Sequence, residues 1–209
     1  DLNALDHYFE LNKNISRRVS AVLIEPLQGE GGVNPGEKEF FKRLRYLCNI
    51  HNVLLIFDEV QTGMGRSGSW WGYEQLEVEP DAFTLAKGLG GGHAIGALLV
   101  KQKVNIFEPG DHASTFGGNP FACKAALTVA KEIERRNLLV NTQQRGAQLI
   151  KGLNILLDRY PKYLKQVRGW GLIQGLVLSS EASFTAKDFA LAALDQRLLL
   201  APAGNKVVR

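Results

Sequence analysis

Leu54-Leu-Ile-Phe57 runs into Asp58-Glu-Val-Gln61-Thr-Gly63, and Phe83-Thr-Leu-Ala86 runs into Lys87-Gly-Leu-Gly90. Both are short apolar runs of the kind that forms a strand buried on both faces, and both stop at ionisable residues. The first run delivers Asp58 and the second delivers Lys87, so two strand ends present a carboxylate and an amine. Ligands of open α/β sheets lie outside the carboxyl ends of the strands. This pair is therefore the expected centre of the molecule.

Upstream, Ser20-Ala-Val-Leu-Ile24 reads as another buried strand, halted at Glu25-Pro26, and the glycines of Gln28-Gly-Glu30-Gly-Gly32 make a loop. Asn34-Pro35-Gly36-Glu37 has the form of a helix start, with Asn34 as the cap, Pro35 in the first turn and Glu37 completing a capping box. Phe40, Phe41, Leu44, Leu47 and Cys48 then recur at helical spacing. Strand, helix and strand make a βαβ unit, which implies parallel pairing and a right-handed crossover. Residues 1–18 read as a surface helix or loop anchored by Leu5, Tyr8, Phe9 and Ile15.

Downstream, Gly63 to Tyr73 is glycine- and aromatic-rich and reads as an ordered loop, and Pro80-Asp81 introduces the strand that ends at Lys87. Gly88 to Gly92 turns the chain into a strand over Ile95–Val100. Asp111 to Asn119 is a second polar, glycine-rich loop. Asn119-Pro120 caps a long helix with Ala122, Ala125, Ala126, Val129, Ala130 and Ile133 on one face. A further helix runs from about Leu138 to Leu157. Short strands follow near Val167 and over Leu172–Leu178, then a helix from Thr185 to Gln196 and a strand over Leu198–Ala201. The change from βαβ to mixed α+β places a domain boundary near residue 138: residues 1–137 as the C-terminal part of a large domain, 138–209 as the start of a smaller one. The chain opens on Asp1-Leu-Asn-Ala and closes at Val207-Val-Arg209 within an apparent strand, so it is expected to be part of a longer protein.

Composition narrows the function. Apolar residues are 45% and charged residues 22% of the 209, as in a globular protein with a sizeable core. The formal charge of +4 comes from scattered basic residues, with no basic stripe for nucleic acid. No apolar run approaches the roughly 18 residues of a membrane span. Cys48 and Cys123 lie in apolar helical patterns and read as reduced core thiols, which implies a cytoplasmic protein. Leu54–Glu59 also has the form of an ATPase acidic strand. The only upstream approach to a phosphate loop, Gly31-Gly-Val-Asn-Pro-Gly36-Glu37-Lys38, has a carboxylate where that loop needs lysine, and it would repel phosphate. The third glycine of Gly88-x-Gly90-x-Gly92 is out of register with a dinucleotide loop. His7, His51, His93 and His112 share no metal-ligand spacing, so no metal is expected. Chemistry that uses an amine and a carboxylate at one ring is that of pyridoxal 5'-phosphate (PLP), with a lysine on its aldehyde carbon and an acid against its pyridine nitrogen.

Asp58-Glu-Val-Gln61-Thr-Gly, Ala86-Lys87-Gly-Leu-Gly-Gly-Gly, Ser114-Thr115-Phe-Gly-Gly-Asn-Pro and Glu25-Pro-Leu-Gln-Gly-Glu30-Gly-Gly32 together resemble the class III PLP-dependent aminotransferases, in order and over nearly the whole chain. The resemblance implies a fold-type-I α/β enzyme. Its large domain holds a mostly parallel, doubly wound sheet, its smaller C-terminal domain is α+β, and it forms a homodimer with shared active sites. It implies Lys87 as the Schiff-base lysine, its amine kept neutral by burial and nearby positive charge, and later the group that moves a proton at the substrate Cα. It further implies Asp58 against the pyridine nitrogen, Val60 on a ring face and Gln61 on the phenolic oxygen. Thr115, with Ser114 beside it, would reach phosphate across the dimer interface. Glu30 would cover Arg209, whose guanidinium receives the α-carboxylate of the second substrate. The implied partners are a small-molecule amino donor and 2-oxoglutarate. A phosphate cup, a ring-stacking aromatic and another substrate-binding arginine are expected before residue 1.

Overall fold

A computed structural model of the chain describes residues 1–13 and 18–209. The elements are α1 (Leu2–Asn12), β1 (Ala21–Ile24), β2 (Leu27–Gln28), β3 (Asn34–Pro35), α2 (Lys38–Ile50), β4 (Leu54–Asp58), β5 (Ala82–Leu85) and β6 (Ala97–Val100). After these come α3 (Pro120–Arg135), α4 (Leu138–Arg159), β7 (Leu164–Trp170), β8 (Ile173–Leu178), α5 (Ala186–Asp195) and β9 (Val207–Val208).

The main sheet has the order β1-β4-β5-β6. β1 and β4 pair in parallel from Ala21↔Leu54 to Ile24↔Phe57, and β4 and β5 in parallel from Ile56↔Ala82 to Asp58↔Thr84. Only β6 runs antiparallel. The apolar face of α2 (Phe41, Leu44, Leu47, Cys48) covers Leu55 and Phe57 of β4, with the Phe41 and Phe57 rings edge-on at 5.5 Å. Asp81, at the entry to β5, accepts from Leu55 N–H at 2.9 Å and from Arg45 of α2 at 2.7 Å, tying helix and both strands together. Burial would raise this carboxyl, but those two donors outweigh it and hold Asp81 below its ordinary value.

A second sheet, β7-β8-β9, is antiparallel throughout. Leu164, Leu176, Leu178, Ala186 and Val208 form its core, against Leu153 and Leu157 of α4. The two-stranded β2–β3 hairpin leaves the first sheet and reaches this second one: Leu27 and Val33 pack on Ile173, Ala203 and Val207. Arg168 of β7 donates to the Gly32 carbonyl through Nη2 at 2.7 Å and Nε at 3.2 Å.

Several expectations change. Asn34 and Pro35 are strand residues of the hairpin, and α2 starts at Lys38 without a side-chain cap, because Asn34 instead donates across the turn to Gln28 and Gly31. β1 is an edge strand of this sheet, with Leu23 65% exposed, and Cys123 lies on the open side of α3. Residues 198–201 form no strand; Ala201 exchanges backbone hydrogen bonds with Arg209 beside an isolated Pro202↔Val208 bridge. In the first helix Leu2 and Phe9 are buried but Tyr8 is exposed, and Ile15 lies outside the described residues. The Asn119 cap of α3 is as expected, accepting from Ala122 N–H at 2.9 Å. Among the described residues no helix is long and apolar enough to cross a membrane.

Candidate active site

Parallel pairing brings the ends of β4 and β5 side by side. Asp58 is in register with Thr84, and Lys87 follows one residue beyond the end of β5 and its neighbour Ala86. Lys87 opens a short 3-10 turn, Lys87–Gly90, with φ +43°, the left-handed region that favours glycine. A non-glycine residue held there costs about 1–3 kcal/mol, a cost found where geometry serves a site. The Asp58 carboxylate accepts from Val60 N–H at 3.0 Å and from the Thr84 hydroxyl at 3.4 Å. Both contacts fall on Oδ1, so Oδ2 stays available to another donor.

The loop after β4 is shaped by a residue that the sequence reading passes over. Glu59 is 1% exposed, and it accepts from Gly72 N–H at 2.8 Å, from Tyr73 N–H at 2.7 Å and from the Thr62 hydroxyl. Its burial pushes the carboxyl above the ordinary value against the pull of those donors. The Glu59 contacts tie Gly72 and Tyr73 back to the start of the loop, whose first residues, Val60 and Gln61, line one cavity with Lys87.

Glu30, Val60, Gln61, Arg66, Lys87 and Arg209 wall one cavity of about 480 Å³, floored by Leu172 and Ile173. Glu30 comes from the turn of the β2–β3 hairpin and Arg209 from the residue after β9. Their side chains meet because the hairpin is packed and hydrogen-bonded onto the second sheet. Arg209 Nη1 donates to Glu30 Oε1 at 2.9 Å and to Gln61 Oε1 at 2.8 Å, while Gln61 Nε2 donates to Glu30 Oε1 at 3.1 Å. The hydrogen bonds from Arg209 and then Gln61, with the Arg209 charge, hold the Glu30 carboxyl below the usual range.

Five of the eight residues singled out in the sequence thus share a cavity. Asp58 stands at the same sheet end but is not part of that wall. Ser114 and Thr115 lie apart from it on an exposed loop, where the Ser114 hydroxyl accepts from Gly117 N–H at 2.9 Å. Lys87 is exposed, so these residues do not supply the burial expected around its amine. Arg66 was visible only as part of a glycine-rich loop; its place in the wall follows from its backbone carbonyl, which accepts from Leu172 N–H at 3.0 Å.

Parallel βαβ pairing, an acid and a lysine at adjacent strand ends, and a smaller antiparallel unit closing the cavity are the parts of a fold-type-I α/β enzyme. A family model described as aminotransferase class-III matches residues 2–209, and the chain belongs to that family. It is 74% identical over 191 residues to an acetylornithine aminotransferase of Prochlorococcus marinus (strain MIT 9313), covering 91% of this chain and 46% of that relative. Among solved structures it resembles the N-acetylornithine aminotransferase from Stenotrophomonas maltophilia K279a (TM-score 0.86, 36% identity, 100% of this chain and 53% of that one). It also resembles a Toxoplasma gondii ornithine aminotransferase with PLP partly occupying its active site (TM-score 0.85, 33% identity, 100% and 49%). The chain spans about half the length of the curated relatives it matches.

Proposed function

We propose that the chain carries the lysine-bearing part of a PLP-dependent aminotransferase that moves the terminal amino group of N-acetylornithine to 2-oxoglutarate, a step of arginine biosynthesis. One observation carries this reading: Lys87 shares its cavity with a glutamate-covered arginine, Glu30–Arg209. A receptor for an α-carboxylate that can be covered suits two substrates using one site, one reacting at a distal amine and one at an α-carbon. The donor set also fits the cofactor. Val60 offers an apolar surface and Gln61 a carboxamide in the Lys87 cavity, while Asp58, outside that wall at the same sheet end, keeps Oδ2 uncommitted for a ring-nitrogen proton.

PLP, when bound, supplies an electron sink at the substrate Cα. Lys87 would hold the cofactor and then carry a proton to and from the reacting carbon, and Asp58 would keep the pyridine nitrogen protonated through an ion pair strengthened by low dielectric. Arg209 would take the α-carboxylate of 2-oxoglutarate once Glu30 moves aside, the planar guanidinium matching a carboxylate in bidentate fashion. Thr115, with Ser114, would serve the phosphate of a partner subunit's site in a homodimer, which their position away from the Lys87 cavity supports. A domain boundary near residue 138 and a cytoplasmic location belong to the same reading.

Borohydride reduction of purified holo protein, followed by peptide mass spectrometry, should find pyridoxyl on Lys87; unmodified Lys87 from yellow protein rejects the assignment. Amino donors are then ranked by kcat/KM. N-acetylornithine should lead ornithine, succinylornithine and 4-aminobutyrate. The likeness to the Toxoplasma ornithine enzyme favours ornithine as a second reading, and ornithine in first place would establish it.

A further inference from the structure

Three side chains from three distant stretches close a hydrogen-bonded triangle in the Lys87 cavity. Glu30 sits in a hairpin turn, Gln61 in the loop after β4, and Arg209 after β9. The orientation of the carboxamide is fixed by its neighbours. Arg209 has only donors to offer and Glu30 only acceptors, so Oε1 must face the guanidinium and Nε2 the carboxylate. Gln61 is thereby bonded to both members of the ion pair at once.

From this we infer that Gln61 is a positioning residue for the Glu30–Arg209 pair: a latch that holds the guanidinium in the arrangement closed to an incoming carboxylate. The inference rests on reading Arg209 as the carboxylate receptor. A carboxylate that takes Arg209 in a fork that includes Nη1 must displace two oxygens from it, one of Glu30 and one of Gln61. It also leaves the Gln61 Nε2 donor that faces Glu30 without its acceptor unless Glu30 moves with it, the second N–H of the amide being the one left for the cofactor's phenolic oxygen. Gln61 therefore makes release of the two acceptors one event and sets how often Arg209 is free.

The local backbone is built for this contact. A Cβ at Gly29 would lie 2.1 Å from Gln61 Oε1, far inside contact distance, while the Gly29 backbone is not in the left-handed region. An alanine there leaves the main chain unstrained and pushes the carboxamide away. Gly29→Ala is thus a second lever on the latch that leaves Gln61, Glu30 and Arg209 in the sequence.

The test is calorimetric titration of 2-oxoglutarate into the purified, cofactor-loaded protein without amino donor, which reads binding rather than turnover. Gln61→Leu should tighten 2-oxoglutarate about three- to tenfold, the scale of one net hydrogen bond removed from the closed state. Glu30→Gln should also tighten it. Adding Gln61→Leu to Glu30→Gln should give less than a third of the gain seen alone, because the latch has no closed pair left to hold. If Gln61→Leu loses its cofactor, judged by absorbance, the same cycle is run with Gly29→Ala. An equal gain in both backgrounds, or no gain in the wild-type one, overturns the latch. Arg209→Leu separates the two claims. If it binds 2-oxoglutarate as tightly as wild type, the receptor reading fails and the latch with it. If it loses binding and the cycle shows no coupling, only the latch fails.

Discussion

Adjacent carboxylates at the end of β4 face opposite sides, as the alternation of a strand requires. Asp58 stays half-buried at the strand end and keeps one oxygen uncommitted, whereas Glu59 is enclosed by the loop it anchors. The sequence makes Asp58 conspicuous because it ends an apolar run. Nothing local marks Glu59, since its burial depends on residues 72 and 73 folding back over it. Its raised pKa has a consequence for stability. A carboxyl titrating higher in the folded state binds more protons folded than unfolded between its ordinary value of 4.5 and its folded value. Stability should accordingly fall as pH rises through that interval. Glu59→Gln should lack this part of the decline while being less stable by about 2 kcal/mol at its acid end, since an amide NH2 must face a donor. Urea unfolding across a pH series reads both; parallel curves for the two proteins would remove Glu59 from the account.

Helices were largely legible because their signals are local. The apolar period over Phe41–Cys48 and the Asn119 cap each involve residues within a few positions of one another, and both are found; the helix expected from Thr185 is also present, with Thr185 as its cap. Asn34-Pro35-Gly36-Glu37 carried the same kind of signal and misled, because a hydrogen bond from Asn34 across the turn to Gln28 competes with capping, and the hairpin gains burial on the second sheet. Strand depth was equally hidden: Ser20–Ile24 is as apolar as Leu54–Phe57, but position in the sheet order leaves β1 at the edge. Gly146 gives a test at this scale. In an exposed helix Gly→Ala adds up to about 1 kcal/mol of stability. Here a Cβ would lie 2.6 Å from the Gly171 carbonyl oxygen, in the β7–β8 turn packed against α4. Backbone must move, so Gly146→Ala should instead destabilise by about 1–3 kcal/mol. A rise in melting temperature would mean that α4 and the turn are less closely fitted than the structure has them.

At the scale of the molecule, the site exists because one hairpin of the first half is carried onto the sheet of the second. Glu30 and Arg209 are separated by 179 positions, and no periodicity in the chain links them. The sequence offered them only through a family resemblance. The physical link is a set of contacts away from the cavity: Leu27 and Val33 on Ile173 and Val207, the close approach of Gly175 to Val33, and Arg168 on the Gly32 carbonyl. Arg168 is the part that can be removed without opening a hole in the core. Arg168→Met keeps an unbranched stem and deletes both donors to Gly32, leaving a part-buried carbonyl without them. Charge-assisted bonds of this kind contribute about 1.5–3 kcal/mol. Amide hydrogen exchange over residues 27–35 should therefore quicken by at least about tenfold, with the amides of β4 unchanged. The Glu30–Arg209 pair should loosen with it, raising the Glu30 carboxyl toward its ordinary value of 4.5 because the donors that lower it are then less often in place. If exchange in the hairpin is the same in the variant as in the wild type, apolar contact alone seats the turn, and the geometry that brings Glu30 to Arg209 owes nothing to Arg168.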